Sequence, residues 1–571
     1  MPRKLCSPRM PEGLCAAALL AVLAAGCSTS VFSGDPAAEE SASGRNPPAL
    51  TLDAGEPRKN PLREGTAEPI QKRPDPGKAD PGRKAPAAEG SKTGQGTSDR
   101  PPFDPIQANG EFFVGWPKPT LALVFTGCTD GYFEPCGCAG LDRMKGGLSR
   151  RHTMLEELRR QRGWPVVALD VGGIVKGWSP QAVIKLHNMV MAMRKMGYDA
   201  IGLGKNELKF PGDMATYAPS VRGNESPFVS ANVDLIGQTA KMRILQAGAV
   251  RLGVTSVLGK KYAVELDNVD PVLLKVTDAE QAIRKVLPAL QKARCSLLIL
   301  LSHATREESI ELARKFPEFD LVATSGGYAE PPADGPRILG PKTQFIEVGE
   351  KGEYAIVLGL FDDPKQPVRY QRVILDSRYK SSPDIVALME SYQNRLKDEG
   401  LEGLGVRPMP NSRTELLGKY VGSAKCESCH EESYRVWRKS GHARAYETLV
   451  KAAPPRNYDP ECISCHVIGW HPTEYRPYAG GFWSKEKTPL LVDVGCESCH
   501  GPGEAHCDAE MPGSKADKAL QEKLQKALVV TKADAEKRFL CVSCHDLDNS
   551  PDFDFPTYWP KVEHYENKDG E

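Results

Sequence analysis

The stretch LALVFTGCTDGYFEPCGC, residues 121–138, decides the reading of the N-terminal half of the chain. An apolar run, Leu121 to Phe125, passes directly into a turn rich in glycine and cysteine, as a buried strand of an α/β sheet does where it ends. Short apolar runs of the same kind recur as PVVAL (165–169), DAIGL (199–203), FVSANV (228–233), SLLILL (296–301) and DLVAT (320–324). Helical periodicity separates several of them. Gln181 to Met196 sets Val183, Ile184, His187, Val190 and Met193 on one face, and Asp278 to Lys292 follows Thr277, an N-cap with Glu280 in capping-box position. Strands alternating with helices predict an α/β domain over residues 112–377. Within it, TQFIEVGEKGEYAIVLGLF (343–361) alternates apolar and polar residues around Gly349 to Gly352 and predicts a hairpin. His187 reads as a satisfied core histidine, His152 beside Arg151 as a surface residue, and Cys295 as an inert buried thiol.

The 571 residues suffice for several domains at roughly 150 each. Lys plus Arg (74) balances Asp plus Glu (74), so no overall positive field gathers nucleic acid, and no nucleic-acid partner is expected. The first 27 residues have a basic start (Arg3, Lys4, Arg9) and an apolar run from Leu14 to Ala25, the pattern of an export signal. LAAGC (23–27) resembles the bacterial lipoprotein box, which implies lipidation of Cys27; Ala24, where that box prefers Leu, leaves ordinary signal-peptidase cleavage open. Residues 28–105 are rich in Pro, Gly and Ala with few aromatics, and read as a disordered linker that tethers a folded body to a membrane. The expected location is periplasmic or cell-envelope.

Eight of the sixteen cysteines fall into four C-x-x-C-H units: CESCH (426–430), CISCH (462–466), CESCH (496–500) and CVSCH (541–545). This spacing is that of c-type haem attachment. Two thiols form thioethers to the haem vinyl groups and the adjacent histidine becomes the proximal iron ligand. The expectation is four covalently attached c-type haems, held by Cys426, Cys429, Cys462, Cys465, Cys496, Cys499, Cys541 and Cys544, with His430, His466, His500 and His545 on the irons. Residues 411–571 then give about 40 residues per haem, a mainly α, loop-rich segment whose core is porphyrin. Removing His152, His187, His303 and the proximal residues from the eleven histidines leaves His442, His471, His506 and His564. His471, five residues after His466, is too close to reach the far face of its own haem and faces either solvent or a neighbouring haem. Met511, the single methionine after residue 411, leaves Met ligation a minor theme.

Two resemblances to known families are carried by these residues. The turns FTGCTDGYFEPCGC, ALDVGG, MGYDAIGLGKNEL, SANV, LLSHA and DLVATSGGY resemble, in order, the metallophosphoesterase domain of periplasmic 5'-nucleotidases. That resemblance implies a two-sheet sandwich flanked by helices. It also implies a two-metal site, whose Asp, His and Asn ligand positions fall here on Cys128, Asp130, Gly173, Lys205, Gly326 and Tyr328, with only His303 matching, and whose catalytic His falls on Asn206. A lysine ammonium has no lone pair for a cation, so an inactive domain is expected. In the first turn, Cys128, Cys136 and Cys138 form either a structural disulfide or a redox or soft-metal group. The layout YVGSAKCESCH, SGHARAYETL, CISCHVIGW, GCESCHGPGEAH, CVSCHD and FDFPTYWPKVEH resembles the tetrahaem cytochrome c family of nitrification, whose best known member takes electrons from hydroxylamine oxidoreductase. Carried over residue by residue, it implies distal ligation by His442, His506 and His564.

The combined expectation is a multihaem electron carrier working with redox partner proteins, tethered by a lipid and fused to a non-catalytic domain. The alternatives are an oxidoreductase acting on a small nitrogen or oxygen species at an open haem, an active 5'-nucleotidase-like hydrolase, or a binding module built on the emptied cleft.

Overall fold

The computed structural model describes residues 103–135, 141–217, 226–537 and 540–565. Cys27, Cys136, Cys138 and the 28–102 part of the linker lie outside the described residues. The α/β half holds strands β1 (Leu121–Thr126), β2 (Val166–Asp170), β3 (Ala200–Ile201), β4 (Arg243–Ala247), β5 (Val250–Leu258), β6 (Leu297–Thr305), β7 (Leu321–Gly326), β8 (Arg337–Leu339), β9 (Thr343–Glu347), β10 (Tyr354–Leu360) and β11 (Val368–Ile374). They form a five-stranded sheet in the order β11-β10-β1-β2-β3 and a six-stranded sheet in the order β8-β9-β7-β6-β5-β4.

Strand β1 shows why its sequence is apolar throughout. Leu121, Leu123 and Phe125 pack between the sheets against Leu252, Leu297, Ile299 and Leu301. Ala122 and Val124 face the other way, towards a helix layer containing Met189, Val190 and Met193 of α2 (Pro180–Lys195, following α1, Leu148–Glu156). The opposite layer, α3 (Ala279–Lys292) and α4 (Arg306–Lys315), covers the six-stranded sheet through Ile283, Leu290 and Leu312. A strand buried on both faces has no polar side to alternate. Among the described residues no helix is long and apolar enough to cross a membrane.

Several local expectations are corrected. The 343–361 segment is not a hairpin: β9 pairs with β7 and β8 in one sheet, β10 with β1 and β11 in the other, and Gly349 to Gly352 carry the chain between them. The two strands belong to different sheets that share one core: Ile346 of β9 and Ile356 and Leu358 of β10 meet between the sheets, while Phe345 and Val357 face the outer helix layers. Phe228–Val233 is not one strand, since Phe228 and Val229 form isolated bridges and extended pairing resumes only at Val233–Leu235. The cap of α3 is Asp278, whose carboxylate accepts the Gln281 N–H at 2.9 Å, rather than Thr277. His152 is buried, its Nδ1 2.6 Å from the Ser382 hydroxyl, because α5 (Pro383–Gly403) and its approach close over α1. His187 is only half-buried, held by Asp213 at 2.9 Å and Tyr217 at 2.5 Å. Cys295 is half-buried against the α3 cluster. In α2 the buried residues include Gln181 and Lys185, whereas Val183, Ile184 and His187 are only partly covered.

After α5 the character changes. Short helices α6 (Glu431–Lys439), α7 (Ala445–Lys451), α8 (Pro460–Ile463), α9 (Cys496–His500), α10 (Glu504–Glu510) and α11 (Lys518–Leu528) are joined by loops. Their apolar clusters are small: one around Tyr446, Ile468, Trp470 and Phe482, another around Leu417, Ala509 and Leu524. These helices wrap a cavity of about 3590 Å³.

Candidate functional site

All eight cysteines of the C-x-x-C-H units line this cavity, as do their histidines and His442, His506 and His564. At several times the roughly 300–1,000 Å³ of a single small-molecule pocket, it has room for several large cofactors. The local motif explains part of the placement. In CESCH 496–500 the five residues form α9, so Cys496, Cys499 and His500 lie on neighbouring helical positions.

The histidines stand in facing pairs. The ring centroids of His430 and His506 are 6.1 Å apart, those of His545 and His442 6.0 Å, and those of His500 and His564 5.8 Å. An ion bonded at about 2.0 Å to one nitrogen of each ring sets two imidazoles near this separation. Nδ1 of His466, His500 and His564 lies on the carbonyl oxygen of Ala445 (2.6 Å), Leu528 (2.7 Å) and Val562 (2.7 Å). A carbonyl only accepts, so each Nδ1 is the protonated nitrogen and Nε2 keeps the lone pair a metal needs. Burial lowers the imidazolium stability of His466, His500 and His545, and pushes His442 down to about 4, so the neutral, ligating form prevails.

The thiols group the units in pairs. Cys426 of the first unit lies beside Cys496 of the third, and Cys465 of the second beside Cys544 of the fourth. The histidines divide the same way: His506 and His564 stand near His430, and His564 near His500, while His466 and His545 stand near His442. His471 is not itself a lining residue, although Trp470, Pro472, Glu474 and Tyr478 around it are; its Nδ1 accepts the Glu474 N–H at 3.2 Å and its ring lies 5.9 Å from that of Tyr478. The sequence reading passed over Cys507, which follows His506 and also lines the cavity; the only signal was the run EAHC. It also passed over Gln181 and Lys185, polar residues one turn apart on the buried face of α2.

In the α/β half, the turns that carry metal ligands in the resembling family are tied to one another. Lys205 reaches away to Glu265 (2.8 and 2.9 Å) and lies 4.7 Å from the centre of the Tyr262 ring. Buried Glu207 accepts backbone N–H groups from Gly173 (2.9 Å), Ile174 (3.3 Å) and Gly204 (2.6 Å). His303, also buried, places Nδ1 3.3 Å from the Val171 carbonyl, and burial pushes it down to about 4. Tyr328 lies under the Arg306 guanidinium, which pairs with Glu347 at 2.6 Å. A Cβ at Gly326 would stand 2.2 Å from the Ala304 carbonyl oxygen, so a ligand side chain there requires the backbone to move. Cys128 has φ +46 and its thiol lies 3.6 Å from the Ser325 carbonyl, with burial raising its pKa; its two sequence partners fall outside the described residues. Asp130 is pushed up to about 6 by burial.

Thiol pairs next to histidines, grouped around one cavity with further imidazoles facing them, define a cytochrome c type of site attached to an α/β sandwich. Residues 425–501 match the family described as Cytochrome c554 and c-prime. Cytochrome c-554 of Nitrosomonas europaea is 31% identical over 147 residues, covering 23% of this chain and 60% of that protein. In the other half, the snake venom 5'-nucleotidase of Gloydius brevicauda is 28% identical over 199 residues, 34% of this chain and 33% of that protein. The solved 5'-nucleotidase precursor from Thermus thermophilus matches with a TM-score of 0.41 at 19% identity, covering 49% of this chain and 59% of that one. The chain thus spans less than two thirds of the curated relatives it matches first. It joins a metallophosphoesterase-like α/β fold to a helical, cytochrome c554-like region.

Proposed function

We propose that the chain is an exported, multihaem c-type cytochrome that carries electrons between redox partner proteins, with a phosphoesterase-like domain (112–377) that does not hydrolyse. The observation that carries this reading is the set of three imidazole pairs across a cavity lined by every C-x-x-C-H unit. Four c-type haems bound there would supply one-electron chemistry. The chain's own residues do the rest. Cys426 and Cys429, Cys462 and Cys465, Cys496 and Cys499, and Cys541 and Cys544 anchor the four groups. His430 with His506, His500 with His564, and His545 with His442 would supply imidazole ligands to three of these groups, and carbonyl partners on Nδ1 fix the ring orientation of His466, His500 and His564. Saturated coordination suits electron transfer, since little moves when the charge changes. Cys27 and residues 28–105 serve as lipid anchor and tether, placing the body of the protein at the outer side of a membrane. Redox titration with electron paramagnetic resonance tests the reading: four haems per chain, at least three of them low-spin. Two haems or fewer would refute it.

A second reading concerns CISCH 462–466. His506, His564 and His442 face His430, His500 and His545, while His471, itself not a lining residue, packs on Tyr478; a haem held by His466 would then be free to take a small diatomic or nitrogen-oxide ligand. A carbon monoxide difference spectrum distinguishes this oxidoreductase reading from a pure carrier. The non-catalytic reading of the α/β domain rests on Lys205, Gly173 and Gly326 at ligand positions and on the inward turn of Glu207.

A further inference from the structure

The α/β domain contributes directly to the loop that leads into the second C-x-x-C-H unit. Asp459, Pro460 and Glu461 immediately precede Cys462. Asp459 is buried. Its Oδ1 accepts from Gln181 Nε2 at 2.9 Å and from the Glu461 N–H at 3.0 Å, and its Oδ2 accepts from Gln393 Nε2 at 2.9 Å. Gln181 also donates to the Tyr392 hydroxyl at 2.9 Å. One helical turn on, Lys185 Nζ donates to both carboxylate oxygens of Glu461 at 2.7 Å, with its ammonium 5.5 Å from the centre of the Tyr392 ring. The lysine stem packs on the first turn of the α/β cleft: a Cβ at Gly131 would stand 2.5 Å from Lys185 Cδ. Arg456 clamps the same loop through Glu134 at 3.0 Å. Lys185, Glu461 and Cys462 all line the large cavity.

A lysine with 8% of its side chain exposed has been desolvated, and only a partner held in place offsets that cost. Here the partner is one residue from a haem-attachment cysteine. We propose that Lys185 and Glu461 are positioning residues that hold the CISCH loop and balance the charge beside its haem, so that the α/β domain sets the potential of that haem. The inference rests on the electron-carrier reading. A negative charge near an iron favours the oxidised, more positive state and lowers its potential; a positive charge does the opposite. The pair is neutral as it stands.

Lys185→Met, Glu461→Gln and the double variant, all in the full haem-loaded chain, separate charge from simple anchoring. Lys185→Met should lower the midpoint potential of one haem, Glu461→Gln should raise that same potential, and the double variant, again neutral, should return towards wild type, with the other haems unmoved. Glu461, whose side chain is 43% exposed, can lose its charge without emptying a buried site, so its variant reads out even where Lys185→Met fails to fold. Wild-type potentials in haem-loaded Glu461→Gln, or shifts of the same sign in both single variants, overturn the proposal. A wild-type protein without bound haem is a different result, and refutes the electron-carrier reading itself.

Discussion

Glu207 offers the sharpest test of how the α/β cleft has been rebuilt. Its side chain is wholly buried among the turns that would carry metal ligands, and its oxygens accept three backbone N–H groups. Those N–H groups favour the carboxylate, but burial outweighs them and pushes the carboxyl from 4.5 up to about 7. The folded state therefore binds this proton more tightly than the unfolded chain. Its contribution to stability is complete below pH 4.5 and is lost as pH rises through about 7. At about 1.4 kcal/mol per pH unit, that interval amounts to about 3 kcal/mol. Glu207→Gln keeps the shape and cannot ionise. Urea unfolding of both proteins, followed by circular dichroism at several pH values from about 4.5 to about 8, should show the wild type losing about 3 kcal/mol relative to the variant across the window. Taking the difference between the two curves cancels Asp130 and the histidines, which titrate in both. A difference that stays flat with pH would mean that folded Glu207 is ionised throughout, and would falsify the argument that burial dominates there.

Other consequences are open to direct measurement. Replacing His506 should convert the haem of residues 426–430 from low-spin to high-spin, His564 that of 496–500, and His442 that of 541–545; each is read as one haem's worth of high-spin signal, and His471→Ala should change nothing. An opened haem in His471→Ala would contradict the open-site reading of CISCH 462–466. The α/β domain should hydrolyse neither nucleotides nor phosphodiesters with excess manganese or zinc, and metal-dependent turnover abolished by His303→Ala would overturn its non-catalytic status. Cys27→Ser should release the protein from membranes into the soluble fraction; a variant that stays bound contradicts the lipid tether.

The parts legible in the sequence were those whose physics is local. A C-x-x-C-H unit holds two thiols and a histidine within five residues, so the cytochrome c554-like character of the segment from residue 425 to 501 could be read directly. Strand β1 could be read because a strand covered on both faces is apolar at every position. Where a side chain's partner lies far along the chain, the same reasoning had nothing to work on. His152 beside Arg151 reads as a surface residue, yet both are buried, and the Arg151 guanidinium lies 3.4 Å from Asp170 and 3.3 Å from the Tyr198 hydroxyl, groups that only the folded sheet brings to it. Gln181 and Lys185 broke the apolar face of α2 for a reason 278 and 276 positions downstream. The choice of which further histidine faces which unit belongs to the same class. A facing imidazole can come from anywhere the cavity wall reaches, so His506, next to the third unit in sequence, faces His430 of the first. Polar residues on an otherwise apolar helix face are therefore where this sequence marked a second domain, and the loop before Cys462 is where that domain meets the haem-binding segment.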